Sequence, residues 1–528
     1  MKKILSILVA MVVAFSACNP EVLNTNPTDQ VSGDSMMDNT DGGMMALNGT
    51  IRALWQWGWT VTGNQHQAVG PMGYALVGDL MGDDFVMAGM GNGWFWYDYV
   101  MDLKDMYTAS TWRSYDLWNY YYTLISNVNY ILAAKETMQG STADVNYVMG
   151  NAYAIRAYCY AYAGMIFARS YIGHEDRLCI PIYTEPTSPE TSGKPRSTNK
   201  EVFGRAMTDI DSAILLLNGQ AQRHISHFDY YNANGLKARI ALYMGDYSKA
   251  LTAAEEAMKS PNAKLTATIN KGYNKTGDSG DVMWGAQLIK DQGTTNPQFM
   301  AHMDPSFGGY GDASRKCCSL WLYDRISKTD VRKNWWKMID LSVAKSAQQL
   351  KEGLQQQKFF FADPTAPEET DHIFMRMPEM YLIKAECQAR TGNEPGAIAT
   401  LKDFMSYRDK AYTCTKTGTS LGKLTTDETG SLLEEIILQR RIELWGEFGR
   451  IYDIKRLRQG FKRTAAMGFQ TAALLNSLHT DDPESFDWVM TIPKKELDAN
   501  PFMVQNPISS YATATEGDDP SLTPKVTE

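Results

Sequence analysis

The chain lacks any extended run of lysine and arginine, and no apolar run in it reaches membrane-spanning length. With 528 residues and a formal net charge of −9, the first lack excludes nucleic acid and anionic lipid surfaces as the main partner. The second leaves no segment to cross a bilayer as a helix, which takes ~20 apolar residues. Cysteine is scarce at seven residues, and none has zinc-type spacing. Cys159, Cys179, Cys317, Cys318, Cys387 and Cys414 read as buried free thiols, the adjacent pair being poorly suited to bond to itself. Histidine is as rare. His224 and His227 lack a third ligand at suitable spacing and read as solvated turn residues. Asp79, Asp83 and Asp84 lack the alternating acidic loop of a calcium site and read as helix or turn caps. No Gly-x-Ser-x-Gly elbow or phosphate-binding loop occurs, since Gly91-Asn92-Gly93 and Gly308-Gly309-Tyr310-Gly311 have no strand-to-helix setting. The expectation is a chain without metal, cofactor or catalytic nucleophile.

What is present is helical periodicity. Trp112, Leu117, Trp118, Tyr121, Leu124, Ile125, Val128 and Ile131 recur three and four apart over residues 112–138, and Tyr120 and Tyr122 join them as expected core. Residues 144–172 do the same with Ala152, Ala154, Ala157, Ala161 and Gly164, small groups that let a neighbouring helix approach. Pro181 to Pro195 reads as a surface excursion, and a helix resumes over 200–218. Two units share one plan. Leu236–Met244, the turn Gly245-Asp246-Tyr247 and Ser248–Lys259 form the first; Met380–Thr391, Gly392-Asn393-Glu394-Pro395 and Gly396–Tyr407 form the second. Both resemble the tetratricopeptide unit. The fold class expected is mostly α: tetratricopeptide-like helix pairs forming a scaffold, with long loop insertions near 55–110 and 262–316 and a few short strands.

Lys2 and Lys3, the apolar run Ile4 to Phe15, and then Ser16, Ala17 and Cys18 read as a signal peptide over 1–17. Its ending resembles the bacterial lipoprotein signal, in which the peptidase cuts before a lipid-modified cysteine. Cys18 is then the lipid attachment point, and several acyl chains such as palmitate, at about 0.8 kcal/mol per buried methylene, hold the protein on the membrane. Residues 18–508 are read as the globular part and 509–528 as a polar tail.

Residues 434–457 read EEIILQRRIELWGEFGRIYDIKRL. Together with Leu117-Trp118-Asn119-Tyr120-Tyr121, Ala154-Ile155-Arg156-Ala157-Tyr158, Met380-Tyr381-Leu382-Ile383-Lys384-Ala385-Glu386, and the closing Ile492-Pro493, Asn500-Pro501 and Gln505-Asn506-Pro507, they resemble the SusD/RagB family of outer-membrane nutrient-binding lipoproteins. Phe448 departs from the family's usual Glu-Gly-x-Arg. The resemblance implies a protein that is not an enzyme. It would bind a nutrient oligomer at the exterior of the outer membrane, an oligosaccharide or polysaccharide, and deliver it to a TonB-dependent β-barrel transporter of the SusC-like kind. The chain has no strand series able to form such a barrel itself. A peptide ligand is the alternative within the family; a surface glycosidase and a protein-binding helical scaffold are the alternatives outside it.

Arg440, Glu443, Glu447, Arg450 and Asp453 fall three or four apart, which predicts one charged stripe on one helix. With no carboxylate isolated in an apolar pocket, the stripe reads as a structural ion network. The ligand-binding candidates are aromatic. A sugar ring stacks its C–H face on an indole or phenol while amide or guanidinium groups take its hydroxyls. Trp57 and Trp59 flank Gly58; Asn92, Trp94, Trp96 and Tyr97 form a first set; Phe307 and Tyr310, with Arg315, form a second. Trp284 and Trp321 read as packed.

Overall fold

The computed structural model describes residues 36–61, 63–101, 112–338 and 353–506. Residues 1–17, Cys18 and the tail 509–528 lie outside them.

The longer helices among the described residues are α1 (Thr40–Trp55), α2 (Gly70–Leu80), α3 (Trp112–Ala133), α4 (Thr142–Phe167), α5 (Asn199–Leu217), α6 (Tyr230–Met244), α7 (Tyr247–Ala257), α8 (Met377–Arg390), α9 (Glu394–Ser406), α10 (Leu432–Glu443) and α11 (Arg450–Leu457). Their ends follow from sequence chemistry. Ser141 Oγ accepts from Asp144 N to start α4; Thr198 with Glu201 starts α5, and Asp229 with Asn232 starts α6, as reciprocal capping boxes. Gly245 at φ +76° ends α6, and Asp246 at once caps α7 by accepting from Lys249 N at 3.1 Å.

Helices α3 to α9 pack each on the next, so the tetratricopeptide-like pairs form one stack. α7 lies directly against α8, although residues 258–376 intervene between them in the chain. The insertion therefore loops out of the stack without interrupting it. Helix α4 is buried almost throughout from Tyr147 to Phe167 and forms the centre. A Cβ on Gly150 would lie 2.7 Å from Leu217 Cγ, and one on Gly164 would lie 3.0 Å from the Phe203 ring, so two glycines set the close approach of α4 and α5. Trp118, Tyr120 and Tyr121 are core as expected, but Trp112 and Tyr122 are only half-buried. Tyr122 packs against the core, stacked on Trp118 at 4.6 Å, and also lines a surface groove between α3 and the 183–191 excursion.

Six short strands occur among the described residues: β1 (Phe85–Met87), β2 (Val282–Ala286), β3 (Lys316–Cys318), β4 (Trp336–Met338), β5 (Leu354–Gln356) and β6 (His372–Arg376). Four form an antiparallel sheet in the order β1-β3-β5-β4, with Val86 opposite Cys317 and Cys317 opposite Gln355. Strands β2 and β6 pair separately, with Trp284 buried on β2. All six described cysteines are buried and free.

The signature stretch differs from the sequence reading. Its charged residues do not share one helix, because the chain leaves helical geometry between α10 and α11, with Gly446 at φ +81° and Gly449 at φ +96°. The residues still form one buried network, drawn from many segments. Glu443 accepts from Arg332, Arg376 and Arg408, and Glu447 accepts from Arg376 and Lys358. Arg440 and Arg456 donate to opposite oxygens of Asp453 at 2.8 and 2.6 Å. Burial alone would raise the Glu443 carboxyl, but Arg408 and Arg376 outweigh it and hold the group well below the usual carboxylate range. This is a structural role, with every carboxylate answered by a cation.

The three aspartates near residue 80 are also corrected. Asp79 does cap a helix, but a remote one, accepting from Arg450 N at 2.7 Å at the start of α11. Asp83 and Asp84 are buried ion-pair partners of Arg441 and Arg450. His227 is buried too, bonded to the Tyr147 hydroxyl at 3.0 Å and to Asn48 Oδ1 at 2.9 Å, whereas His224 is exposed as expected.

Candidate ligand-binding site

Strand pairing decides which loops meet. Strand β1 leads directly into the turn that carries Asn92 and Trp94, and β3 follows directly on the loop that carries Phe307, Tyr310 and Arg315. Met87 pairs with Lys316, and the pairing runs on past the strand ends: Ala88 N donates to Arg315 O at 2.9 Å, and Ser314 Oγ donates to Gly89 O at 2.6 Å. Gly91, at φ +56°, has room for no side chain, since a Cβ there would lie 2.8 Å from Ala313 O. Two segments more than 200 residues apart thus become one surface.

A third loop joins them through Gln67. Its amide oxygen accepts from Phe95 N at 2.5 Å, and its backbone oxygen accepts from the buried Arg113 guanidinium at 3.2 Å. Arg113 also donates to Asp98 at 2.9 Å, so the 65–67 loop and the 94–99 turn are tied to α3 by one residue. Phe95 sits in the left-handed region at φ +60°, wholly buried and edge-on to His302.

On this frame Trp94, His66 and Tyr310 form one aromatic cluster. The His66 ring stacks on Trp94 at 5.2 Å and 15°; Trp94 and Tyr310 meet edge to face at 5.7 Å. His66 Nδ1 and the Tyr310 hydroxyl share a hydrogen bond at 2.5 Å. Below, His302 stacks under Tyr310 at 5.0 Å and donates from Nε2 to His66 O at 2.6 Å. Burial lowers both imidazoles, His302 down to about 3, so this floor is neutral at ordinary pH. Trp94, His66 and Tyr310 are half-buried, giving aromatic edges held in fixed orientation at the surface.

The other candidates are distributed differently. Asn92 is exposed at the tip of its turn. Arg315 is mostly buried and paired with Asp312 at 2.7 Å. Phe307 packs on Phe361 at 4.4 Å. Trp59 donates from its indole to Ala53 O at 3.0 Å and lies 5.8 Å from Tyr120, at the edge of the core. Trp57 is half-buried. Trp96 and Tyr97 line a separate cavity. His66 was not singled out in the sequence; no local spacing marks it, and only the meeting of three loops gives it a place. Among the described residues no group of histidine, cysteine and carboxylate side chains could hold a metal ion. The arrangement gathers half-buried aromatic rings and neutral hydrogen-bonding groups at one place on the surface.

Comparison with known proteins agrees with this architecture. The family described as "SusD family" matches residues 263–508, and the family described as "Starch-binding associating with outer membrane" matches residues 76–242. No protein among curated sequences matches. A SusD-like carbohydrate binding protein from Bacteroides vulgatus is 25% identical with a TM-score of 0.74, the match covering 88% of this chain and 97% of that one. A surface glycan-binding protein A from Bacteroides uniformis shares the fold at 19% identity and TM-score 0.66, covering 89% of this chain and 100% of that one. Another from Bacteroides thetaiotaomicron, in complex with laminarihexaose, does so at 17% identity and TM-score 0.64, covering 87% and 97%.

Proposed function

We propose that this chain, which is a SusD-like protein, captures a glycan at the cell surface on the Trp94–His66–Tyr310 cluster and passes it to a TonB-dependent β-barrel transporter. The observation that carries the reading is the convergence of three segments on one half-buried aromatic cluster that carries the Tyr310 hydroxyl and the His66 imidazole. Sugar rings supply the matching surface, C–H groups on one face and hydroxyls around the edge. Family membership supports the same ligand class, since one matched family is described as starch-binding and a solved relative holds laminarihexaose. The description of that family as associating with the outer membrane supports the location, with Cys18 as the lipid attachment point. Among the described residues no helix is long and apolar enough to cross a membrane. Binding without chemistry fits a cluster whose carboxylate neighbour, Asp312, is already paired with Arg315.

Isothermal titration against a panel of polysaccharides and peptides tests the reading. At least one glycan should bind the parent, and Trp94→Ala and Tyr310→Ala should each weaken it about 10-fold or more, a loss of ~1.4 kcal/mol. Binding only to peptides, or equal binding by parent and both variants, would overturn it. Product sugars appearing in the cell would identify a glycosidase. For the handover, a large β-barrel should co-purify with the protein from detergent-extracted membranes.

A further inference from the structure

A groove of about 660 Å³ is lined by Trp96 and Tyr97, two and three residues along the chain from Trp94 of the cluster. One wall is the 96–101 turn, with Trp96 half-buried and Tyr97 39% exposed; the other is the 471–478 segment, with Thr471, Asn476 and Ser477 exposed. The walls are built, not incidental. Arg463, buried beneath, donates from Nη1 to Tyr99 O at 2.5 Å and to Ala473 O at 3.4 Å, which ties the two walls together. Its guanidinium lies 5.0 Å from the ring centroids of both Tyr99 and Phe469, which stack on each other at 6.2 Å. Gln470 donates to Met87 O at 2.6 Å and fastens the second wall to the end of β1.

The lining chemistry is selective. Among the described residues no charged side chain lines this groove, whereas Arg325, Lys416, Asp427, Glu428, Glu435 and Arg441 all line the 330 Å³ cavity elsewhere in the fold. Aromatic rings on one wall face hydroxyl and amide groups on the other, and its volume falls within the ordinary range for small-ligand sites. An ionised ligand would enter without a counter-charge and would lose its hydration, a cost that disfavours it. Trp94 and Trp96 are two residues apart, so their backbones lie at most ~7 Å from each other, less than the length of an oligosaccharide of a few rings.

We infer that the groove between residues 96–101 and 471–478 is a second subsite for the same ligand, taking the further units of a neutral oligosaccharide whose first units rest on the Trp94–His66–Tyr310 cluster. The inference rests on the glycan-binding reading. The cluster then provides the first contact, and the groove provides selection for chain length and against uronic acid sugars.

The test is titration of the parent, Trp96→Ala, Asn476→Trp and Trp94→Ala with maltohexaose, laminarihexaose, xylohexaose and mannohexaose, with the disaccharide of whichever binds, and with hexagalacturonate. Asn476 is exposed, so a tryptophan there fills the groove without disturbing the core. Trp96→Ala and Asn476→Trp should each weaken the neutral hexamer about 10-fold, Asn476→Trp should leave the disaccharide unchanged, and hexagalacturonate should bind about 10-fold more weakly than the neutral hexamer. If both groove variants bind the hexamer like the parent while Trp94→Ala does not, the subsite is overturned and the cluster reading stands. Hexagalacturonate binding as tightly as the neutral hexamer would overturn the neutral selection. If no hexamer binds the parent, the subsite and the glycan reading are overturned for these four neutral glycans together.

Discussion

The carboxylate of Glu443 meets the guanidinium of Arg408 edge to edge, Oε2 to Nε and Oε1 to Nη2, both at 3.0 Å. Both side chains are fully buried, and Arg332 and Arg376 approach the same carboxylate at 3.3 and 3.1 Å. Arg332 comes from the segment that enters β4, Arg376 from the end of β6, and Arg408 from just after α9. One carboxylate therefore fastens the sheet from which the 88–95 and 307–315 segments leave to the helix stack.

Glu443→Gln keeps the shape and removes the charge, leaving three buried guanidinium groups short of their shared anion. Removal of one partner from a buried ion pair costs about 3–5 kcal/mol. Urea denaturation followed by circular dichroism should show a loss of that order. A loss no larger than that from replacing Lys494 in its exposed pair with Asp498 would mean that the three arginines do not depend on this carboxylate.

Acid should weaken the fold before its carboxylates titrate. Burial lowers His372 to about 4, and burial, aided by His224 and Arg223, lowers His227 to about 4; His302 lies at about 3. An unfolded imidazole titrates near ~6.5, so the unfolded chain binds more protons below that pH. The stabilising contribution is complete above about 6.5 and is lost as pH falls towards the folded values. Neither ring nitrogen of His372 has a partner among the described residues. His372→Phe should therefore fold, and its denaturation midpoint should fall less steeply than the parent's between pH 7 and 5. Identical slopes would exclude His372 from the effect.

Gly449 at φ +96° carries the turn into α11, and a Cβ there would lie 2.7 Å from the Tyr452 ring and 3.3 Å from Ala75 O. Gly392 has a similar φ of +86° but open space around it. Gly449→Ala should cost about 1–3 kcal/mol from backbone strain plus the clash, and Gly392→Ala the backbone part alone. Thermal melting of the two variants separates the contributions. Equal losses would show that the ring and carbonyl give way freely.

Cys18→Ala should release the protein from the membrane fraction while leaving glycan affinity in titration unchanged, because the aromatic cluster is built wholly from residues beyond position 60. Continued retention would identify the transporter partner as the main anchor.

Local signals were readable in the sequence, and distant pairings were not. The helix pairs around Gly245 and Gly392 follow from apolar spacing, turn glycines and capping residues, all within a few positions of one another. The stacking of α7 on α8 required knowing that a long insertion could leave the stack. The break between α10 and α11 had its marks in Gly446 and Gly449, but the charge spacing continued across them and suggested one helix. Asp83 and Asp84 looked like local caps because their partner Arg441 is more than 350 residues away. Trp94 and Tyr310 were proposed separately as loop aromatics, whereas the β1–β3 pairing unites them. His66 had no signal of its own.

Because the residues of the aromatic cluster sit on loops and single-turn helices and none on the stacked helices, the proposed recognition surface and the architecture are separable in this molecule. The loops near 66, 94 and 310 leave from the sheet and from short turns, while the arginine-rich hub around Glu443 holds the frame behind them. A graft of these three loops from a relative with a different appetite should thus change the diet of the protein without refounding its fold.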